Sequence, residues 1–333
     1  MKTKVYPFLF KPIYKNYIWG GNKIYTYFHR KPLVLPCAES WELSLREEEM
    51  SIIKNGHFKG KTLKEILQKY PAQIMGKNVF SPDEFPLLIK ILDARENLSI
   101  QVHPAGDSTD KIIEAKSEMW YIIDTEKNAF IYAGFIRNTD INEFTTLLQN
   151  NRLLEIIRKI KVTKGDVFFI PAGRIHAIGA GCLILEIQQN SNITYRIFDW
   201  NRTDIDGNSR PLHIKEAIAS IKWNDITDPF CSPKDIPTST CNSKKLFISC
   251  PHFQVEKINI METEQNIGTR DSFEVLFVET GKIKIIPHEQ IETYTSSLGA
   301  GSLLLIPAAI QPYSIANDSP KATLLRILPG FTG

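Results

Sequence analysis

Strand-length apolar runs, each cut short by proline or glycine, recur along this chain and restrict it to a mostly β fold with a few helices. Runs at 85–92, 98–102, 119–123, 129–133, 167–170 and 182–187 are rich in Ile, Leu, Val and aromatic residues. Similar runs return at 253–260, 273–277, 282–286, 302–306 and 322–327. This pattern predicts many short antiparallel strands. Helical spacing is rarer. Leu63, Ile66 and Leu67 share one face of a predicted helix over 62–70. Apolar residues from Ile141 to Ile157 extend that spacing over 139–160, with Thr139 or Asp140 as the cap. Pro211 opens a third helix over 212–221, and 107–116 reads as a short fourth.

A chain of 333 residues is long enough for one large or two moderate domains. Its 43% hydrophobic and 23% charged residues exclude extensive disorder. A net charge of 40 − 37 = +3 argues against nucleic acid or an anionic membrane as partner. The basic stretch at 152–164 reads as a solvated helix face. No leader-like apolar core follows Met1, and no run nears the ~20 residues of a membrane span. Five cysteines without a CxxC pair point to free thiols and a cytoplasmic setting. A monomer or weak homodimer is expected.

Residues 224–245 hold three prolines and many small polar residues, the composition of a linker or extended loop. Around them the expected organisation is a catalytic domain at 1–223, with helical insertions near 60–77 and 139–160, and a second domain at 246–333. A weak repeat joins the two. Lys164-Gly-Asp-Val-Phe-Phe-Ile-Pro-Ala-Gly-Arg-Ile-His-Ala-Ile resembles Ala300-Gly-Ser-Leu-Leu-Leu-Ile-Pro-Ala-Ala-Ile-Gln-Pro-Tyr-Ser-Ile. The first copy resembles the second motif of the cupins, which are small double-sheet barrels of the jelly-roll type. Two cupin-like antiparallel barrels are therefore expected. Gln311 replaces a histidine in the second, which implies no second metal there.

Gln101 and His103 lie two apart in a strand-like run, so alternation puts both on one sheet face with Ser99. Glu118 sits in a second such run, where Lys116 shares its face. His176 begins the strand after the Pro171-Ala-Gly turn. Antiparallel strands can bring the four together facing inward. Two imidazoles, a carboxylate and an amide oxygen suit a borderline divalent ion. Zinc is the first choice, one per chain, with Fe, Mn, Co and Ni also suited. A lone buried histidine is more often a hydrogen-bonded core residue. All the pieces in cupin order point to a metal.

These residues fall within a longer set of blocks that resembles the type I phosphomannose isomerases of the short bacterial branch. The blocks are Trp19-Gly-Gly, Ala38-Glu-Ser-Trp-Glu-Leu-Ser, Phe85-Pro-Leu-Leu-Ile-Lys, Leu98-Ser-Ile-Gln-Val-His-Pro, Lys116-Ser-Glu-Met-Trp-Tyr, Pro171-Ala-Gly-Arg-Ile-His-Ala, Glu186-Ile-Gln-Gln-Asn-Ser and Tyr195-Arg-Ile-Phe-Asp-Trp. The resemblance implies zinc on Gln101, His103, Glu118 and His176. It also implies interconversion of mannose 6-phosphate and fructose 6-phosphate through a cis-enediol, with a small sugar phosphate as the only partner. Arg196 matches the family's active-site arginine, and Lys116 and Glu186 match positions linked to proton handling.

The chemistry asks for a Lewis acid or fixed positive charge at the developing oxyanions, which zinc and Arg196 can supply, and for a base at the carbon-bound proton. Lys116 and Glu186 both remain candidates for that base. Glu186 can instead be a structural ion pair with Arg196 or Arg174. Ser99 and Lys90 are candidates for the substrate phosphate, although an edge lysine can equally snorkel to water. Trp19 is a candidate wall for the sugar. Where the family usually carries an aspartate four residues before the arginine, this chain has Asn192, which cannot take a proton. Two other readings stand beside the isomerase: another metal cupin enzyme acting on sugar phosphates, and a sugar-binding cupin with weakened turnover.

Overall fold

The computed structural model describes residues 5–31, 33–77, 85–106, 114–203, 206–268, 271–288 and 297–330. The chain is mostly β, in several antiparallel sheets, and divides into two compact units. One comprises Met1–Ile13, Glu42–Leu88 and Ser232–Gly333, the other Tyr14–Trp41 and Ile89–Cys231. This division is interleaved along the chain, unlike a cut into 1–223 and 246–333. The N-terminal strand Phe8–Leu9 pairs with Leu303–Ile306, so it belongs with the C-terminal strands. Among the described residues no helix is long and apolar enough to cross a membrane.

The Ile89–Cys231 unit is built on two sheets. The six-stranded sheet runs Val167–Ile170, Glu118–Thr125, Cys182–Gln189, Leu87–Ala94, Glu39–Leu43, Ile13–Lys15. The five-stranded sheet runs Ile157–Lys161, Phe130–Phe135, His176–Ile178, Ile100–Val102, Tyr195–Phe198. One core fills the space between them, with Leu92, Trp120, Ile122, Phe168 and Ile184 from the first and Ile131, Ala133 and Ile178 from the second. The other face of the five-stranded sheet packs Ile100, Val102, Tyr132 and Ile197 against Phe144, Leu153 and Ala217. Burying a side chain such as Phe144 contributes roughly 1.5–3 kcal/mol. The ladders form open sheets; no closed ring of strands is found among the described residues.

Alternation then decides what the inner face carries. Trp120 and Ile122 point into the core, so Glu118 does too. Cys182 and Ile184 bring Glu186 inward, and Leu92 brings Lys90. One end of the inter-sheet space is therefore apolar and the other is lined with charge.

The other unit repeats the plan. Its seven-stranded sheet runs Phe8–Leu9, Leu303–Ile306, Glu274–Thr280, Ala322–Pro329, Phe253–Ile260, Ser243–Ser249, Lys234–Ile236. Its four-stranded sheet runs Glu264–Ile267, Tyr313–Asn317, Lys282–Pro287, Ser297–Gly299. In both units the strand before Pro-Ala joins the larger sheet and the strand after it joins the smaller one. That is the structural content of the sequence repeat.

Three local expectations change. The helix expected over 139–160 is a helix at Ile141–Gln149, a single turn at Leu153–Glu155 and a strand at Ile157–Lys161. Asp140 caps its start by accepting from the Asn142 and Glu143 amides at 2.8 and 2.9 Å. Asn151 adopts φ 57°, a left-handed conformation that ends helices. Beyond it, the remaining apolar residues fit a strand paired with Phe130–Phe135 as well as they fit a helix. The helix after Pro211 starts later, at Ile214–Ser220. The 224–245 segment is tied down: Asp225 binds Arg174, Phe230 bridges Phe168, and Lys234–Ile236 is a strand. The helix at 62–70 forms as Leu63–Lys69 with a Thr62/Glu65 capping box, and Pro71 starts a second helix, Pro71–Met75. Most of the 107–116 helix lies outside the described residues.

Candidate metal centre and active site

His103, Glu118 and His176 offer ligand atoms that all lie within 4.8 Å of one another, and all three are buried. Adjacent strands position them. His176 pairs with Gln101 in the five-stranded sheet, and Glu118 faces Ile170 and Gln188 in the six-stranded one. His103 lies just beyond Ile100–Val102. Each imidazole is fixed from behind. His103 Nδ1 donates to the Ile193 carbonyl at 2.9 Å, and His176 Nδ1 donates to the Arg174 carbonyl at 2.8 Å. A carbonyl only accepts, so both protons sit on Nδ1 and both Nε2 lone pairs face the common centre.

Those lone pairs meet other acceptors. His103 Nε2 lies 3.3 Å from Glu118 Oε2, and His176 Nε2 lies 3.5 Å from Glu118 Oε1. Burial and the neighbouring Lys116 push the His103 pKa down to about 3, and burial lowers His176 as well. Both rings are therefore neutral at pH 7 and supply no proton between nitrogen and carboxylate. Burial would raise the Glu118 pKa, but the charge of the neighbouring groups, Lys116 first, holds it well below the usual carboxylate range. Both Glu118 oxygens are buried without an aligned hydrogen bond. The Lys116 ammonium, 3.1 Å from Glu118 and 3.0 Å from His103 Nε2, offsets part of this charge. Three converging electron-pair donors and a buried carboxylate lacking hydrogen bonds fit a divalent cation. Gln101 turns its amide nitrogen to His176 Nε2 at 3.3 Å while Ser99 Oγ donates to its Oε1 at 3.2 Å. A half-turn of the amide exchanges those two atoms.

A cavity of about 320 Å³ opens against this cluster, a size suited to a small molecule. Trp19, Lys90, Ser99, Gln101, Lys116, Glu186 and Arg196 all line it. Every candidate named from the sequence thus lies in the cavity or in the cluster against it. Trp19 stacks on Tyr17 at 5.7 Å and is buried. Its Trp-Gly-Gly loop needs both glycines: a Cβ on Gly20 would meet Ala38 at 2.6 Å, and one on Gly21 would meet the Asp93 carboxylate at 2.6 Å.

Lys90 is buried on an interior strand rather than snorkelling from an edge. Its ammonium lies 3.5 Å from Glu186, 3.8 Å from Glu39 and 4.8 Å over the Trp41 ring. Burial alone would lower its pKa, but those carboxylates raise it, so it stays charged. Glu186 accepts from Trp120 Nε1 at 3.2 Å and pairs with Lys90, not with Arg196 or Arg174. Arg174 is taken by Asp225, with bonds of 2.6 and 2.8 Å. Burial and Glu118 push the Glu186 pKa up to about 6, against the pull of Lys116 and Lys90. Arg196 donates to the Pro211 carbonyl at 2.9 Å, and its buried Nε has no partner.

Tyr17, Glu39, Thr194 and Arg210 also line the cavity, beside Asn192. Sequence reasoning assigned them no part. Glu39 had a signal in its alternation with Trp41, whose indole donates to it at 2.6 Å. Arg210 lies in an irregular loop and had none.

The phosphomannose isomerase type I catalytic-domain model matches residues 8–135. The chain is 34% identical to mannose-6-phosphate isomerase ManA of Bacillus subtilis, over 93% of this chain and 95% of that one. It is 31% identical to mannose-6-phosphate isomerase of Streptococcus mutans, over 90% and 92%. Its fold resembles the crystal structure of a Bacillus subtilis mannose 6-phosphate isomerase with a TM-score of 0.86 at 30% identity, covering 97% of this chain and 99% of that one. A mostly β chain with a buried His-Glu-His cluster beneath a charged cavity, alike to these enzymes over nearly its whole length, belongs to the type I phosphomannose isomerase family.

Proposed function

We propose that this protein interconverts mannose 6-phosphate and fructose 6-phosphate in the 320 Å³ cavity, with one zinc ion held by His103, Glu118, His176 and Gln101. The carrying observation is the juxtaposition of three metal-ligand side chains with a cavity lined by Lys116, Glu186 and Arg196. The sheet pair around it is read as a cupin jelly roll, and five free thiols agree with a cytoplasmic enzyme.

When bound, zinc supplies a Lewis acid toward the sugar oxygens. The chain's own groups do the rest. Aldose–ketose isomerisation moves a proton between C1 and C2 through a cis-enediol, so a base must face carbon. Glu186 is our choice between the two candidates. Its carboxylate faces the cavity, and a pKa near 6 lets it both take and return a proton near neutrality. Lys116 is engaged with His103 and Glu118 and holds the ligand cluster together. Arg196, with an unpartnered Nε, faces the developing negative charge on oxygen. Lys90 keeps Glu186 in place, Ser99 orients the Gln101 amide, and Trp19 walls the sugar.

A coupled assay on mannose 6-phosphate, run with zinc-loaded protein and again after chelation, tests this reading. Turnover abolished by chelator and restored by metal is expected. Absence of turnover in zinc-loaded protein would leave the second reading, a sugar-phosphate-binding cupin, which Asn192 in the cavity favours.

A further inference from the structure

The cavity is electrically lopsided. Four cationic side chains line it: Lys90, Lys116, Arg196 and Arg210. The two lysines are offset where they stand, Lys90 by Glu39 and Glu186, Lys116 by Glu118. Arg196 has no carboxylate within ion-pair distance among the described residues and bonds only to backbone through its guanidinium. Arg210 shares the single buried carboxylate of Asp199 with Arg202, which lines an adjoining recess and also reaches exposed Glu96 at 3.8 Å. The uncompensated positive charge therefore lies with the arginines, Arg196 and Arg210, rather than with the lysines.

Arg210 is also held in one orientation. Its Nε donates to Asp199 Oδ2 at 2.7 Å and its Nη2 to Oδ1 at 2.6 Å. This two-point grip fixes the plane of the guanidinium and leaves Nη1 for a ligand. Fork-shaped donors fixed in this way suit phosphate oxygens. The alternative phosphate donors are engaged: Ser99 Oγ bonds Gln101, and Lys90 sits between two carboxylates that would repel a dianion.

From this we infer that Arg210 binds the substrate phosphate and that Asp199 is its positioning residue, so the sugar lies with its phosphate at Arg210 and its reacting carbons toward Lys116, Gln101 and Arg196, which pairs with Gln101. This orientation rests on the isomerase reading. The anion site itself does not.

The test uses zinc-loaded full-length protein and inorganic phosphate as probe, followed by calorimetry, alongside KM and kcat for mannose 6-phosphate. Phosphate should bind the wild type and compete with substrate. R210M should weaken phosphate binding and raise KM on the order of tenfold or more with kcat little changed, the pattern of lost uniform binding. R210K, the milder change, should fall between. D199N separates orientation from charge. If Asp199 orients Arg210, its loss weakens phosphate binding. If it only offsets charge, its loss tightens binding, and the positioning role is overturned. Wild-type phosphate affinity in both R210M and R210K, with loss in K90M, would put the phosphate at Lys90 and overturn the assignment while leaving the isomerase standing. Phosphate binding that depends on Arg210 in a protein without turnover would keep the anion site and remove the isomerase.

Discussion

Glu118 and Glu274 hold the same register position in two different sheets: Glu118 pairs with Ile170 and Glu274 with Ile306, each the isoleucine before a Pro-Ala pair. The correspondence extends to the next strand. Trp120, two residues on, pairs with Glu186, and Leu276, two residues on, pairs with Arg326. An arginine thus stands where the first site has Glu186. Its guanidinium grips Glu274 with bonds of 2.8 and 2.6 Å, and Tyr313 donates to the same carboxylate at 2.8 Å. Gln311, read from the sequence as the histidine replacement, instead donates to the Ser272 carbonyl. The positive charge that a metal would bring to the first site is built into the second as a side chain. Among the described residues, His103, Glu118 and His176 form the only such ligand cluster.

Removing that guanidinium should be costly. R326M leaves Glu274, 1% exposed, without its counter-charge. Loss of one partner of a buried pair costs about 3–5 kcal/mol. Urea unfolding should show a loss of that size. The E274Q/R326M double variant should recover much of it, because Glu274 is then uncharged and only Glu256, 7% exposed and 3.1 Å from Arg326, loses a counter-charge. A double variant as unstable as R326M would mean that packing, and not charge, is what Arg326 supplies.

The candidate metal centre makes a sharper prediction. H103A removes one of three converging candidate ligands and the ring hydrogen-bonded to Ile193. Elemental analysis should find metal content well below one per chain. A full complement of metal in purified H103A would remove His103 from the ligand set.

The grouping of the candidate ligands was legible because strand alternation fixes a face. Gln101 and His103 lie two apart, and Lys116 and Glu118 do the same, so their common direction follows from the period of two. Which strands would be neighbours followed less directly, since pairing depends on contacts far apart in sequence. The 139–160 helix was misread because Leu153, Leu154 and Ile157 continue a helical spacing that a left-handed Asn151 interrupts. Asp199 stood in the Tyr195-Arg-Ile-Phe-Asp-Trp block, but its pairing with Arg210 could not be read. Their partnership crosses an irregular loop with no period, and Arg210 meets Asp199 through side chains alone.

Arg196 should behave differently from the ligands. Among the described residues no hydrogen bond or ion pair joins it to His103, Glu118 or His176, and its guanidinium bonds only to the Pro211 carbonyl. R196A should retain its metal while kcat falls about 10²–10³-fold, the range for losing one donor that acts on developing charge. An unchanged kcat would exclude Arg196 from the chemistry. Loss of metal would make it a structural support of the site.

The pH profile tests the choice of Glu186 as base. A base must be ionised before it can accept a proton, so the rate should fall as pH drops through the Glu186 pKa, about 6. His103 titrates far below that, near 3, so the two limbs are separable. Lys90, 3.5 Å away, favours the ionised form of Glu186 and so holds its pKa down. Removing that charge in K90M should move the acidic limb of kcat to higher pH, whereas K90R, which keeps the charge, should leave it near 6. A limb that stays in place in K90M would show that the titrating group is not Glu186, and would return the proton transfer to Lys116.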